Sequence, residues 1–272
     1  MRLVTIGDCG VDRYLPENRL LPGGITANFT RQARRTFNQD DKIDLISTIG
    51  TDNPESSVAY DAVNIDGISC HINKIEGNTP IQFIEIGDDG EKNFTRYESG
   101  VLEKFYLNKE QKQILYKADL IVTPVYWQIQ NIFDLLFSQD LKATMAVDFS
   151  DFSTDPNFSL LDKYLYKIDI AFFGLKSSQK EMIKKLHDIA KVKNKLFIIT
   201  LGEDGSIAYV GHKKFSCAAL SLKKIIDTTG AGDAFAAGFL AEYTHHKSIN
   251  SALQKGAEVA AKTIQTVGSV PK

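Results

Sequence analysis

The feature that most constrains this chain is a short apolar run, rich in β-branched and aromatic residues, that keeps returning between polar or glycine signals. It appears as Leu3–Ile6, Leu45–Ile49, Leu120–Val122, Thr144–Val147, Ile168–Phe173 and Leu196–Thr200. Runs of this make-up read as β-strands, and several are continuous rather than alternating, the pattern of strands covered on both faces. Between them lie charged, helix-favouring stretches such as 108–117 and 177–191. The second opens on Ser177-Ser178, with Glu181 three residues after Ser178, the spacing of a capping box. Strand and helix in alternation imply an α/β fold with a mostly parallel, doubly wound sheet.

Residues 68–98 break that rhythm. A strand is expected over 79–87, a hairpin turn at Asp88-Asp89-Gly90 and a returning strand over 92–98, together a small antiparallel flap. The chain's 272 residues suit one large α/β unit. We therefore expect a single domain over 1–272, with lid segments around 9–20 and 68–98. A hydrophobic share of 43% and a charged share of 24% exclude fibrous and wholly disordered chains. Lys plus Arg (32) and Asp plus Glu (34) nearly cancel, so no nucleic-acid partner is expected. The only cysteines, Cys9, Cys70 and Cys217, form no C-x-x-C pair, which speaks against a disulfide framework or a structural zinc site. With no run of 18 apolar residues, no membrane span is expected, and the reading is a cytoplasmic protein.

Three glycine clusters carry the chemistry. In Asp227-Thr228-Thr229-Gly230-Ala231-Gly232-Asp233, a polar stretch and three small residues precede an Ala-rich apolar run. This reads as a loop feeding a helix N-terminus, where free N–H groups and the dipole favour an anion such as phosphate. Asp233 in the first turn is expected to stay charged and to accept a proton from a hydroxyl beside that phosphate. Read alone, the segment is equally a tight loop with an ordinary capping Asp. Neither a Walker A run nor G-x-G-x-x-G is present, since Phe235 stands where the third glycine would be. The second cluster, Thr200-Leu201-Gly202-Glu203-Asp204-Gly205, follows a strand and suits a nucleotide at the carboxyl end of a sheet, or a simple turn. The third runs from Gly7 and Asp8 to Asp12, then through Gly23, Gly24 and Asn28. Its carboxylate and amide groups suit the hydroxyls of a polyol.

In this order and spacing the clusters resemble the ribokinase-like (PfkB) family of carbohydrate kinases, along essentially the whole chain. The strongest element is Asp227 to Phe235. Gly7 to Asp12, Gly23 to Asn28 and Thr200 to Gly205 match the family's other elements. The resemblance implies a mostly parallel sheet flanked by helices, with a β lid over a sugar site, and transfer of the γ-phosphate of ATP to a sugar hydroxyl. It makes Asp233 the base and the amides of Gly230, Ala231 and Gly232 the anion hole. Asp12, Gly23, Gly24 and Asn28 would face the sugar, and Thr200, Gly202 and Gly205 the nucleotide. Asp227 and Thr229 resemble a monovalent-cation (K⁺) loop, with carbonyls near Gly268. Mg²⁺ is expected with ATP, and lids of this kind pair in homodimers.

The family's Asn-x-x-Glu near the metal is absent. Glu181 is the candidate substitute for Mg²⁺, or a capping residue. Within the family, Arg96–Val101, Ala146–Asp151 and Ala260–Gln265 resemble members that phosphorylate the sugar part of a glycated amine. A nucleoside or other small-alcohol kinase of the same fold, and a non-catalytic sensor of sugar or nucleotide, remain the alternatives.

Overall fold

A computed structural model describes residues 1–86 and 92–270. The strands are β1 (Arg2–Ile6), β2 (Gly10–Leu15), β3 (Arg19–Gly23), β4 (Lys42–Ile49), β5 (Ile68–Lys74), β6 (Ile81–Ile86), β7 (Lys92–Glu98), β8 (Leu120–Pro124), β9 (Thr144–Asp151), β10 (Ile170–Gly174), β11 (Leu196–Thr200), β12 (Ser206–Val210) and β13 (Lys213–Cys217). The helices are α1 (Ile25–Thr36), α2 (Glu55–Val63), α3 (Lys109–Tyr116), α4 (Gln130–Phe137), α5 (Ser159–Tyr164), α6 (Lys180–Lys193), α7 (Ala231–His246) and α8 (Ile249–Thr263).

The large sheet has the order β13-β12-β11-β10-β9-β8-β1-β4-β5. Its pairs are parallel from β5 through to β11, and β12 and β13 add an antiparallel edge. The continuous apolar runs have a direct cause. Side chains alternate across a strand, and both faces of this sheet are covered. Phe197 and Ile199 of β11 join a core with α3, α4, α5 and α6. Leu196 and Ile198 join the opposite core with α1, α7 and α8. Helix α3 falls in the helix-favouring stretch over 108–117 and is capped locally: Asn108 accepts from the Gln111 N–H, and the Gln111 side chain answers the Asn108 N–H.

The second sheet, β3-β2-β6-β7, is the lid. It differs from the expected flap in two ways. First, β5 (Ile68–Lys74) is not part of it; this strand pairs with β4 at the edge of the large sheet. An edge strand with one solvated face alternates polar and apolar residues, as ISCHINK does, and so reads like a flap strand. Second, the lid is mixed: β2–β3 and β6–β7 are antiparallel, but β2 and β6 run parallel. The expected turn at Asp88-Asp89-Gly90 lies outside the described residues. One lid face packs on α2 through Val11, Ile81, Phe83, Ala59 and Val63.

The expected cap of the helix over 177–191 is also corrected. Helix α6 starts at Lys180, behind Gln179, and no side chain caps it. The Ser177 hydroxyl donates to Asp204 Oδ2 at 2.5 Å instead, a tertiary contact that local spacing does not reveal. The three cysteines are free. Among the described residues no helix is long and apolar enough to cross a membrane.

Candidate active site

The carboxyl ends of β1, β8, β9, β10 and β11 deliver their residues to one end of the large sheet, beneath the lid, where ligands of open α/β sheets bind. Just past β1, Asp8 holds the start of α1. Its Oδ2 accepts from the Ile25 N–H at 3.0 Å, and its Oδ1 accepts from the Thr26 N–H and hydroxyl, both at 2.9 Å. That anchor sets Gly24 at the cap of α1 and Asn28 one turn in, 5% exposed. Asp12, on β2 of the lid, is 7% exposed and lies against Gly23. The four residues expected at a sugar therefore meet where lid and α1 join.

Across the site stands α7. Its cap is Gly230, and Asp233 sits in the first turn, 7% exposed. The expected anion-binding amides are not equivalent. Ala231 turns its N–H back to the Thr228 carbonyl at 3.2 Å. The N–H groups of Gly230 and Gly232 meet no acceptor among the described residues, and the space above Gly232 is open to 4 Å. A helix N-terminus with free amides and open space in front suits a phosphate. Asp227, before the loop, closes it: Oδ1 accepts from the Thr229 N–H at 2.8 Å and Oδ2 from the Gly268 N–H at 2.9 Å.

The nucleotide-side residues lie at the tip of β11. Thr200 donates its hydroxyl to the Phe173 carbonyl at 3.4 Å. Gly202 faces open space, while Gly205 packs on the Cys217 carbonyl, as a turn residue does. Leu220, Ile225, Ile226 and Val267 form exposed apolar surface on the segments before α7 and after α8. These segments are tied by Ile226 and Asp227 N–H groups donating to the Ile264 carbonyl at 2.8 and 3.2 Å. Glu181 is exposed in the first turn of α6. Among the described residues no three His, Cys, Asp or Glu side chains are grouped to hold a metal.

Electrostatics correct one expectation. Burial pushes the Asp233 carboxyl well above the usual carboxylate range, and the nearby charges of Asp148, Asp8 and Asp12 push it the same way. The neighbouring Asn28 side chain favours the charged carboxylate and opposes this. The helix dipole, worth about 1 kcal/mol at most in ordinary settings, is outweighed by desolvation, which moves a buried carboxyl by up to several pH units. Asp148 itself is pushed up to about 6 by burial, against the Ser150 N–H that favours its charge.

Four residues of this site have no role assigned from sequence. Asp148 lies in β9 just before the ladder to β10 shifts register, and Ser150 at φ +51° folds its N–H back onto Asp148 Oδ1 at 2.7 Å. Tyr97 of β7 and Tyr126 beyond β8 stack edge to face with hydroxyls 3.1 Å apart, and burial with the neighbouring charge of Asp8 raises the pKa of the Tyr126 hydroxyl. Ser269 packs behind Asn28. Asp148 and Tyr97 fall in stretches that already stand out in the sequence, but their roles arise only from juxtaposition.

This arrangement has counterparts. The model of the pfkB family of carbohydrate kinases matches residues 165–272. Fructoselysine 6-kinase of Escherichia coli (strain K12) is 31% identical over 267 residues, 98% of this chain and 98% of that one. A fructosamine kinase of Bacillus subtilis (strain 168) is 28% identical over 280 residues, 99% of this chain and 93% of its own. Among solved structures, adenosine kinase from Sinorhizobium meliloti superposes with a TM-score of 0.81 at 20% identity, covering 99% and 95% of the two chains. With a relative 31% identical along 98% of both chains and the family model matching the stretch that holds the strand-tip threonine and the buried Asp233, the chain belongs to the PfkB family of carbohydrate kinases.

Proposed function

We propose that this kinase transfers the γ-phosphate of ATP to a hydroxyl on the sugar part of a glycated amine, with Asp233 as the base. The observation that carries the reading is Asp233 itself, buried in the first turn of α7 beside free amides and open space, and faced by Asn28 and the lid's Asp12. The substrate class draws on the two full-length relatives named for fructoselysine and fructosamine.

In this reading Asp12 and Asn28 orient the sugar, engaging neighbouring hydroxyls as acceptor and donor. Asp233 takes the proton of the attacking hydroxyl onto its carboxylate as the oxygen closes on phosphorus. The amides of Gly230 and Gly232 stabilise charge gathering on the transferred phosphoryl group. The apolar surface of Ile225, Ile226 and Val267 suits a nucleobase, and Thr200 and Gly202 border it. Mg²⁺ would neutralise phosphate oxygens when bound, and Glu181 of α6 is the candidate carboxylate of this chain to help hold it. The loop closed by Asp227 and Thr229 onto Gly268 suits a monovalent cation. The outer edge of β7, where Phe94 is 63% exposed, suits pairing of two lids in a homodimer.

The test is ATP consumption across sugars, glycated amino acids and nucleosides, with Mg²⁺ and with or without K⁺, for wild type and Asp233→Asn. Turnover should be strongest on a glycated amine, and Asp233→Asn should lose at least ~10²-fold, the typical worth of a positioned base. A variant within a few-fold of wild type would remove Asp233 from the mechanism. A nucleoside preferred over every sugar would overturn the substrate.

A further inference from the structure

Behind the base, a late segment of the chain closes on the site. Ser269 is 3% exposed, and its hydroxyl donates to Asn28 Oδ1 at 2.6 Å. Its carbonyl accepts from Gln32 Nε2 at 3.1 Å, and the same amide donates to Thr263 Oγ1 at 3.0 Å. On the other side is Gly230, in the left-handed region at φ +74°. A Cβ there would stand 2.7 Å from Ser269 Cβ and 2.8 Å from its Cα, so only glycine admits this approach. Ser269 is thus wedged between α1, which carries Asn28, and the loop that presents Asp233.

We propose that Ser269 is a positioning residue for phosphoryl transfer, locking the Asn28 amide so that its NH₂ end faces the Asp233 carboxylate. The inference rests on the reading of Asp233 as the base. An Asn side chain has one accepting and one donating end, and a buried one is fixed by whatever meets each end. The Ser269 hydroxyl engages the oxygen end, which leaves the nitrogen end for Asp233. The reversed amide would aim an oxygen at the carboxylate. The charged groups that face Asp233 are Asp148 from β9, Asp8 beyond β1 and Asp12 from β2, and each opposes its ionisation. Asn28 counters them, so a loosened Asn28 amide would hold the base protonated to higher pH. Ser269 would then act on proton transfer through Asn28 without touching substrate.

The experiment compares Ser269→Ala and Ser269→Thr with wild type, and repeats Ser269→Ala in an Asn28→Ala background, reading kcat, KM and the pH profile. Ser269→Ala should move the acid limb of kcat to higher pH and lower kcat near neutrality by about tenfold, the worth of one well-made buried hydrogen bond. The KM for ATP should hold. Ser269→Thr keeps the hydroxyl and should restore the limb, and Ser269→Ala should add no further pH shift once Asn28 is gone. An unmoved acid limb, or the same loss in both backgrounds, would reduce Ser269 to packing and overturn the inference. Such a result with an inactive Asp233→Asn leaves the base in place. An active Asp233→Asn instead removes the base, and this inference with it.

Discussion

After burial, the charge of Asp148 is the first cause that opposes ionisation of Asp233, and burial acts on both carboxyls in the same direction. A general base must be ionised to act, so with Asp233 as the proposed base its pKa sets the acid limb of the rate profile. Its raised value means that activity climbs as pH rises through that value. Asp148→Asn removes the largest of the neighbouring charges that hold Asp233 protonated. Asp233 then ionises at lower pH, and kcat/KM at the acid end should rise severalfold over wild type while the fold is kept. A pH series on both proteins checks this, and an acid limb that stays put or moves upward refutes the coupling.

At the scale of elements, the join of β3 to α1 is the tightest piece of the sugar side. Gly23 lies so close to Asp12 that a Cβ would meet its Oδ1, and would stand 2.7 Å from its Cγ. Gly23→Ala must therefore move the Asp12 carboxylate. We expect the KM for sugar to rise by about tenfold or more with the KM for ATP unchanged, because an overpacked neighbour costs roughly 1–3 kcal/mol. Equal effects on both substrates would show a general fold defect instead. The same join shows what a sequence displays and what it hides. Strands such as Ile170–Gly174 were legible because burial on two faces writes a continuous apolar run. The lid strands β6 and β7 were legible too, but GVDRYL was placed only within a lid segment and not read as a strand, because one face points into a polar site and the other onto α2. The anion loop and Asp233 were legible because they are contiguous. Ser269 and Asn28 meet across a separation of 241 residues, and no local pattern records that. Burial likewise raises the pKa of the Asp233 carboxyl, an effect that position in the helix does not display.

For the whole molecule, the site lies between two sheets that close over it. Asp12, Asn28 and Asp233 are each exposed by 7% or less, yet a substrate hydroxyl must reach the Asp233 carboxylate. A sugar entering from the lid side reaches Asp233 only if the two sheets part first. The lid does not move alone, because its outer face shares an apolar core with α2 and Arg13 of β2 pairs with Glu55 of α2. The same core takes in Ala27 of α1 and Leu45 and Ile49 of β4, and the Tyr97 hydroxyl meets that of Tyr126, so this is where lid and α2 have to slip against the body. Lid and α2 should move together, expelling water before transfer and so limiting hydrolysis of ATP. Small-angle scattering should show a larger radius of gyration for the free protein than for protein with sugar and a non-hydrolysable ATP analogue. The same profiles give the mass, which doubles if two lids pair along β7. Identical profiles with and without ligands would leave Asp233 unreachable by this route, and entry would then have to come from the nucleotide side, past Gly202 and Gly232, where the structure is already open.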